Sequence, residues 1–232
     1  MIRKQQRRRR MISKIYIFIL LIVVTFILSN CGNSKSQEGG DNTGLPYIGN
    51  HDIVYQATDE YEVGDTIFYK VPEFEYLTQD STFLSSKDID DQVWIVKFFF
   101  SYCPTICPPM TSAMKEVNSA LSEYSNDVTF LSFSIDPDRD DPKRLRKYID
   151  RHEITADNWY FLTGNEAATH RLGVEGFQLL INADEKAPGG FAHSPNFVLV
   201  DEQQHIRGVY DGLDQESRKQ LIKDAKKLLS NE

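Results

Sequence analysis

The stretch "QVWIVKFFF", residues 92–100, restricts the fold of this chain more than any other. A strand with one face in water alternates apolar and polar residues. This run is nearly continuous in apolar side chains, which predicts a central strand covered on both faces. Such a strand needs helices packed over it, so the chain reads as α/β. The run ends in "SYCPTICPPM" (101–110), where Cys103 and Cys107 stand four positions apart among prolines. A pair of thiols at that place fits a disulfide, a redox couple or a metal site.

The rest of the chain supplies the partners of that strand. Residues 66–86 alternate around a "TQDS" turn and read as a hairpin. Residues 108–124 have helical spacing through Met110, Met114, Val117 and Leu121, which marks the two methionines as core rather than ligands. Further strands are expected over 127–136 and 159–164. Helices are expected over 141–152, with Pro142 in the first turn, and over 165–173. A late hairpin (194–212) and an amphipathic helix (214–229) close the chain. The order implies a central mixed sheet flanked by helices, with an N-terminal hairpin extension. A dithiol at the end of the first long strand makes this a thioredoxin-like arrangement.

The N-terminus is separate. "MIRKQQRRRRMISK" holds seven basic residues and no acidic one, and an uncharged apolar run (15–28) follows. A basic stretch, a short apolar stretch and a small-residue exit read as a secretory signal over residues 1–30. The apolar run is short for a membrane span, which wants about 20 residues. "LSNC" (28–31) resembles a bacterial lipobox, with Cys31 as the lipidated residue. Asn30 stands where Gly, Ala or Ser is usual, and an uncleaved anchor helix is the alternative. Residues 31–50, rich in Gly, Ser and Asn, read as a flexible tether, and residues 51–232 as the folded domain. Without residues 1–30 the charge goes from 26 basic against 34 acidic residues to 19 against 34, a net of −15. An acidic exported domain is a poor nucleic-acid binder. Lipidation of Cys31 would leave Cys103 and Cys107 as a clean pair in a compartment that permits disulfides.

Cys103 is expected where the strand ends and Cys107 in the first helical turn, with both side chains on one face. The helix N-terminus is expected to lower both thiol pKa values. Two thiolates on one face make a soft chelate, suited to Cu(I) or Zn. A plain stabilising disulfide is the alternative, although so short a loop gains least from closure. Among the histidines, His152 and His170 are expected on solvated helix surfaces, His205 in a hairpin turn, His51 in the N-terminal arm and His193 on a loop at a sheet edge. The "DPDRD" stretch (136–140) reads first as a turn and helix cap, with Asp140 or Asp141 before Pro142. Its second reading gives Asp136 or Arg139 a supporting or docking role beside the dithiol.

The chain resembles the Sco/SenC family of copper-binding assembly factors for cytochrome c oxidase. The resemblance runs from about residue 72 to the C-terminus. It rests on "FFFSYCPTICP", "SIDPDRDDP", "FLTG" and "AHSPNFVLVD", all in family order. It implies copper bound by Cys103, Cys107 and His193, and a partner in the copper-bearing subunit of cytochrome c oxidase. It also implies an exported domain held at a membrane by a lipid or an anchor helix. The competing class is a thiol–disulfide oxidoreductase working through Cys103 and Cys107. Thioredoxin-like proteins carry a cis-proline opposite the dithiol, and Pro195 lies where it would sit, so Ser194–Pro195 is expected to be cis.

Overall fold

Residues 43–184 and 186–230 are described by the structure, a computed structural model. The nearly continuous apolar run forms strand β5 (Val93–Phe99), every residue of which is buried. It pairs in parallel with β6 (Val128–Ser134), equally buried, and β6 pairs in parallel with β7 (Trp159–Thr163). On its other side β5 runs antiparallel to β10 (Asn196–Val200), which pairs with β11 (Ile206–Asp211). The far edge is a hairpin of β3 (Glu75–Thr78) and β4 (Phe83–Ser85), with β3 antiparallel to β7. The seven strands lie in the order β11-β10-β5-β6-β7-β3-β4, a mixed sheet.

The expected N-terminal hairpin is shorter than its alternating pattern. Ser81 takes a positive φ of 61° in the turn between β3 and β4. Thr66–Ile67 (β2) instead pairs with Asp52–Ile53 (β1) in a separate ribbon. Alternation locates extended chain, but it cannot name the partner.

Helix α1 (Cys107–Ala120) follows the dithiol turn and buries Met110, Met114 and Val117, as their spacing predicts. Helix α2 (Pro142–Arg151) starts with Pro142 in its first turn. Its cap is Asp141, whose carboxylate accepts the Arg144 N–H at 2.7 Å. Helix α3 (Glu166–Arg171) is capped by Asn165, and α4 (Gln215–Ser230) closes the chain against α1 and β11. The core is aromatic: Phe133 meets Phe74, Tyr76 and Phe98 at ring separations of 5.1–5.2 Å.

The signal segment, Cys31 and most of the expected tether lie outside the described residues. The tether's last residues are not free. Leu45 and Ile48 pack on the core, and Ile48 bridges to Ile206. Among the described residues, no helix is long and apolar enough to cross a membrane.

Candidate metal centre

A short turn separates the end of β5 from α1, and Cys103 lies in it. Its N–H donates to the Phe100 carbonyl at 3.2 Å, so Cys103 precedes the helix rather than sharing its face. Cys107 opens α1 and is fully buried. The third group arrives by a hairpin that sequence patterning did not resolve. Strand β8 (Ile181–Ala183) pairs with β9 (Phe191–His193), with His193 opposite Ile181. His193 therefore ends a strand and is buried, where an edge loop was expected. The Cys103 and Cys107 sulfurs and a His193 ring nitrogen all lie within 4.8 Å of one another, and among the described residues this is the cluster suited to a metal ion.

His193 Nε2 stands 3.3 Å from Cys107 Sγ, and Nδ1 stands 3.1 Å from the Ser194 carbonyl. A carbonyl oxygen only accepts, so Nδ1 carries a proton, and the neutral imidazole then has its lone pair on Nε2, the nitrogen that faces the sulfurs. The imidazole leans on the edge of Phe100 (5.9 Å), and Phe191 packs on the same ring (5.4 Å). Close approach of the hairpin requires Gly189. Its φ is +87°, and a Cβ there would meet the Phe100 ring at 2.5 Å.

The expected cis bond is absent: among the described residues no peptide bond is cis, so Ser194–Pro195 is trans. The backbone around it is already committed. The Ser194 N–H donates to the Leu180 carbonyl and the Pro195 carbonyl accepts from the Gly212 N–H, each at 3.0 Å. The β8–β9 pairing aims His193, so no sharp turn at Pro195 is needed.

The two thiols are free, and no disulfide joins them in this structure. Nor are they equivalent, which corrects the expectation that both are acidified. A hydrogen bond from the Cys107 thiol holds the Cys103 pKa well down, against the opposing effect of burial. Burial pushes the Cys107 thiol well up, and the Cys103 sulfur adds to that. Two adjacent sulfurs do not both ionise readily, so the helix N-terminus is outweighed at the deeper one.

The "DPDRD" stretch proves to be structural support for the site. Asp140 is fully buried and is not the helix cap. It accepts from the Ser101 N–H (2.9 Å), the Ser101 hydroxyl and the Ser134 hydroxyl (2.6 Å). That fastens the dithiol turn to the end of β6. Asp136 pairs with Arg139, whose Nη2 donates to the Gly189 carbonyl at 2.8 Å on the histidine hairpin. Burial pushes the Asp136 carboxyl up, and Arg139 opposes it. Asp136 and Arg139 thus brace the His193 hairpin and make no contact with the sulfurs among the bonds described.

The other histidines differ from expectation in part. The His152 ring packs tilted against Tyr148, centroids 4.3 Å apart, and His170 Nε2 lies 2.9 Å from the Ile135 carbonyl, so neither is simply solvated. His205 is buried at the foot of its hairpin, 2.8 Å from the Tyr69 carbonyl. Sequence reading also missed Lys97. It is fully buried in β5, and its signal was a charge inside a strand covered on both faces.

A family model described as SCO1/SenC matches residues 67–230. The SCO1 protein homolog of Bacillus subtilis (strain 168) is 31% identical over 166 residues, 71% of this chain and 86% of that one. The crystal structure of a SCO1/SenC family lipoprotein from Bacillus anthracis str. Ames superposes with a TM-score of 0.64. It is 32% identical and covers 69% of this chain and 95% of its own. BsSco, a member of the Sco family of cytochrome c oxidase assembly proteins with a disulfide switch, has a TM-score of 0.62. It is 30% identical, with 70% and 94% covered. With its thioredoxin-like sheet, its paired thiols and this match over most of its length, the chain belongs to the SCO1/SenC family.

Proposed function

We propose that this protein is an exported, membrane-tethered carrier of copper, acting in assembly of the copper site of cytochrome c oxidase. One observation supports this most: two buried sulfurs and an imidazole nitrogen converge within 4.8 Å of one another. Two thiolates and an imidazole are a soft donor set, and three such donors suit Cu(I). Copper here is cargo. Cys103 already favours the thiolate, while Cys107 keeps its proton until metal arrives. His193 offers Nε2 to the metal, with Nδ1 held by the Ser194 carbonyl. The oxidase role follows from membership in a family whose relative BsSco is named for oxidase assembly.

Cu(I) titration against a chromogenic competitor tests the reading. The purified chain is expected to bind one copper ion. Cys107→Ser and His193→Ala should each weaken binding by more than the roughly 10–100-fold typical of groups behind the ligands. Protons compete for Cys107, so affinity should fall as pH falls, by roughly tenfold per unit for each proton displaced on binding. Affinity indifferent to both substitutions would remove the site.

The asymmetry of the thiols favours a second reading, a dithiol reductant. Cys103 would attack a partner disulfide, and Cys107 would then displace the partner thiol. The Cys103–Cys107 disulfide forms, and two electrons pass to the partner. Reduction that survives His193→Ala, in a chain that binds no copper, would favour this reading.

The tether is proposed to be a lipid on Cys31. A homologous Bacillus anthracis structure is named as a lipoprotein, and "LSNC" ends a short apolar run here. Clickable fatty acid should label the wild type in cells and not Cys31→Ser. Equal labelling would end the claim, and an unlabelled but membrane-bound variant would indicate an anchor helix.

A further inference from the structure

Lys97 is a long, charged side chain with no exposure at all, in the middle of the most buried strand of the sheet. Its Nζ donates to the Thr111 hydroxyl at 2.7 Å, and Thr111 stands 2.8 Å from the Tyr148 hydroxyl. The rings of Trp159, Phe99 and Phe161 surround the ammonium at 5.3, 5.5 and 6.0 Å. Among the described residues no carboxylate lies within ion-pair distance of it. A buried ammonium without a countercharge is strongly disfavoured, and any apolar residue would suit this strand better.

The groups that face it narrow its role. From α2 come Tyr148 and His152. Burial pushes the Tyr148 phenol up, and burial together with Lys97 itself pushes the His152 imidazole down, so both are neutral near pH 7. From β7 come the rings of Trp159 and Phe161. From α1 come Thr111 and, one helical turn before it, Cys107. Cys107 and Thr111 stand four residues apart on the buried face of α1, the face whose Thr111 holds the Lys97 ammonium, and Cys107 is the one group among these that takes a negative charge when the site is loaded.

We infer that Lys97 is a positioning residue of the dithiol–histidine site, a built-in countercharge that favours the more negative of any two states of Cys103 and Cys107. In the metal-free chain that is the reduced pair, in which a sulfur can ionise, over the disulfide, in which neither can. In a copper-loaded chain it is Cu(I) with two thiolates, at −1, over Cu(II), at zero. The copper half rests on the function proposed above, and the dithiol half does not.

The test equilibrates the metal-free chain with a glutathione thiol–disulfide buffer. The two protein sulfurs join and give two electrons to one buffer disulfide. The buffer disulfide becomes two thiols, taking the Cys107 proton and one from solvent. Three variants separate charge from hydrogen bonding. Lys97→Met removes both, Lys97→Gln keeps a donor toward Thr111 without charge, and Thr111→Val keeps the charge without the bond. Lys97→Met and Lys97→Gln are each expected to shift the equilibrium toward the disulfide by about tenfold, about 30 mV for a two-electron couple. Thr111→Val should shift it less than threefold. A shift below threefold in Lys97→Gln, or one as large in Thr111→Val, would overturn the inference. Circular dichroism identifies any variant that fails to fold, and the other Lys97 variant then decides. The ratio of Cu(I) to Cu(II) affinity should fall in both Lys97 variants. A wild type that binds no copper would refute the copper reading and leave the glutathione result to judge Lys97.

Discussion

Asp140→Ala is expected to destabilise the protein by about 3–5 kcal/mol, because it strands buried donors rather than removing one contact. Asp140 has no exposure and receives the Ser101 N–H, the Ser101 hydroxyl and the Ser134 hydroxyl. Ser101 and Ser134 are both buried, and each donor left unsatisfied costs about 1–3 kcal/mol. Arg144, which donates to the Ser101 hydroxyl at 2.8 Å and lies over the Tyr102 ring at 4.0 Å, loses its anchored partner as well. A loss of this size is a large share of a typical 5–15 kcal/mol stability. Urea unfolding measures it. The dithiol turn should loosen too, so alkylation of Cys103 should quicken several-fold under native conditions. A loss below about 1 kcal/mol, with unchanged alkylation, would show that the turn is held by something else. Asp140→Asn keeps one acceptor oxygen and should fall between Asp140→Ala and the wild type.

Lys97→Met is expected to act in the opposite direction and stabilise the metal-free chain. Burial lowers the Lys97 pKa from 10.5 to about 7, with Cys107 opposing. The unfolded chain therefore holds a proton that the folded chain releases between those two values. The penalty for Lys97 is complete below about pH 7, shrinks as pH rises, and is gone above about 10.5. At about 1.4 kcal/mol per unit the full gap is on the order of 5 kcal/mol. Loss of the bond to Thr111 and of the ring contacts returns about 3 kcal/mol. The net gain for Lys97→Met is then on the order of 2 kcal/mol at pH 6, shrinking toward pH 10. Urea unfolding of wild type and variant across that range checks both sign and slope. A variant less stable than wild type at pH 6 would mean that the ammonium has a partner stronger than Thr111. A gain in stability joined to a shifted thiol equilibrium is the pattern of a residue kept for function, since function is where local rules are broken.

How much was legible beforehand divides along one physical line. Interactions between near neighbours in sequence can be read from the sequence. The buried run at 92–100 required a central strand, and Val93–Phe99 is one. Pro142 after Asp141 marked a helix start, and Asp141 is its cap. Met110 and Met114 repeat at helical spacing and are core. The spacing of Cys103 and Cys107 announced a thiol pair. Pairings across long loops could not be read in this way. Strand β9 is three residues long beside two glycines, too short to show a period, yet its pairing with Ile181 is what delivers His193 to Cys107. The same pairing makes a cis bond at Pro195 unnecessary. Asp140 sits beside a good cap and looked like one, but its partner Ser101 is 39 positions away. Lys97 appeared as one charge in an apolar run. Only the packing of α1, α2 and β7 around it shows that its charge is enclosed. Local sequence determined the longer elements and the thiol pair. The tertiary structure decided which thiol keeps its proton and which histidine reaches it, because burial and distant charges set pKa values and no short window of sequence contains them.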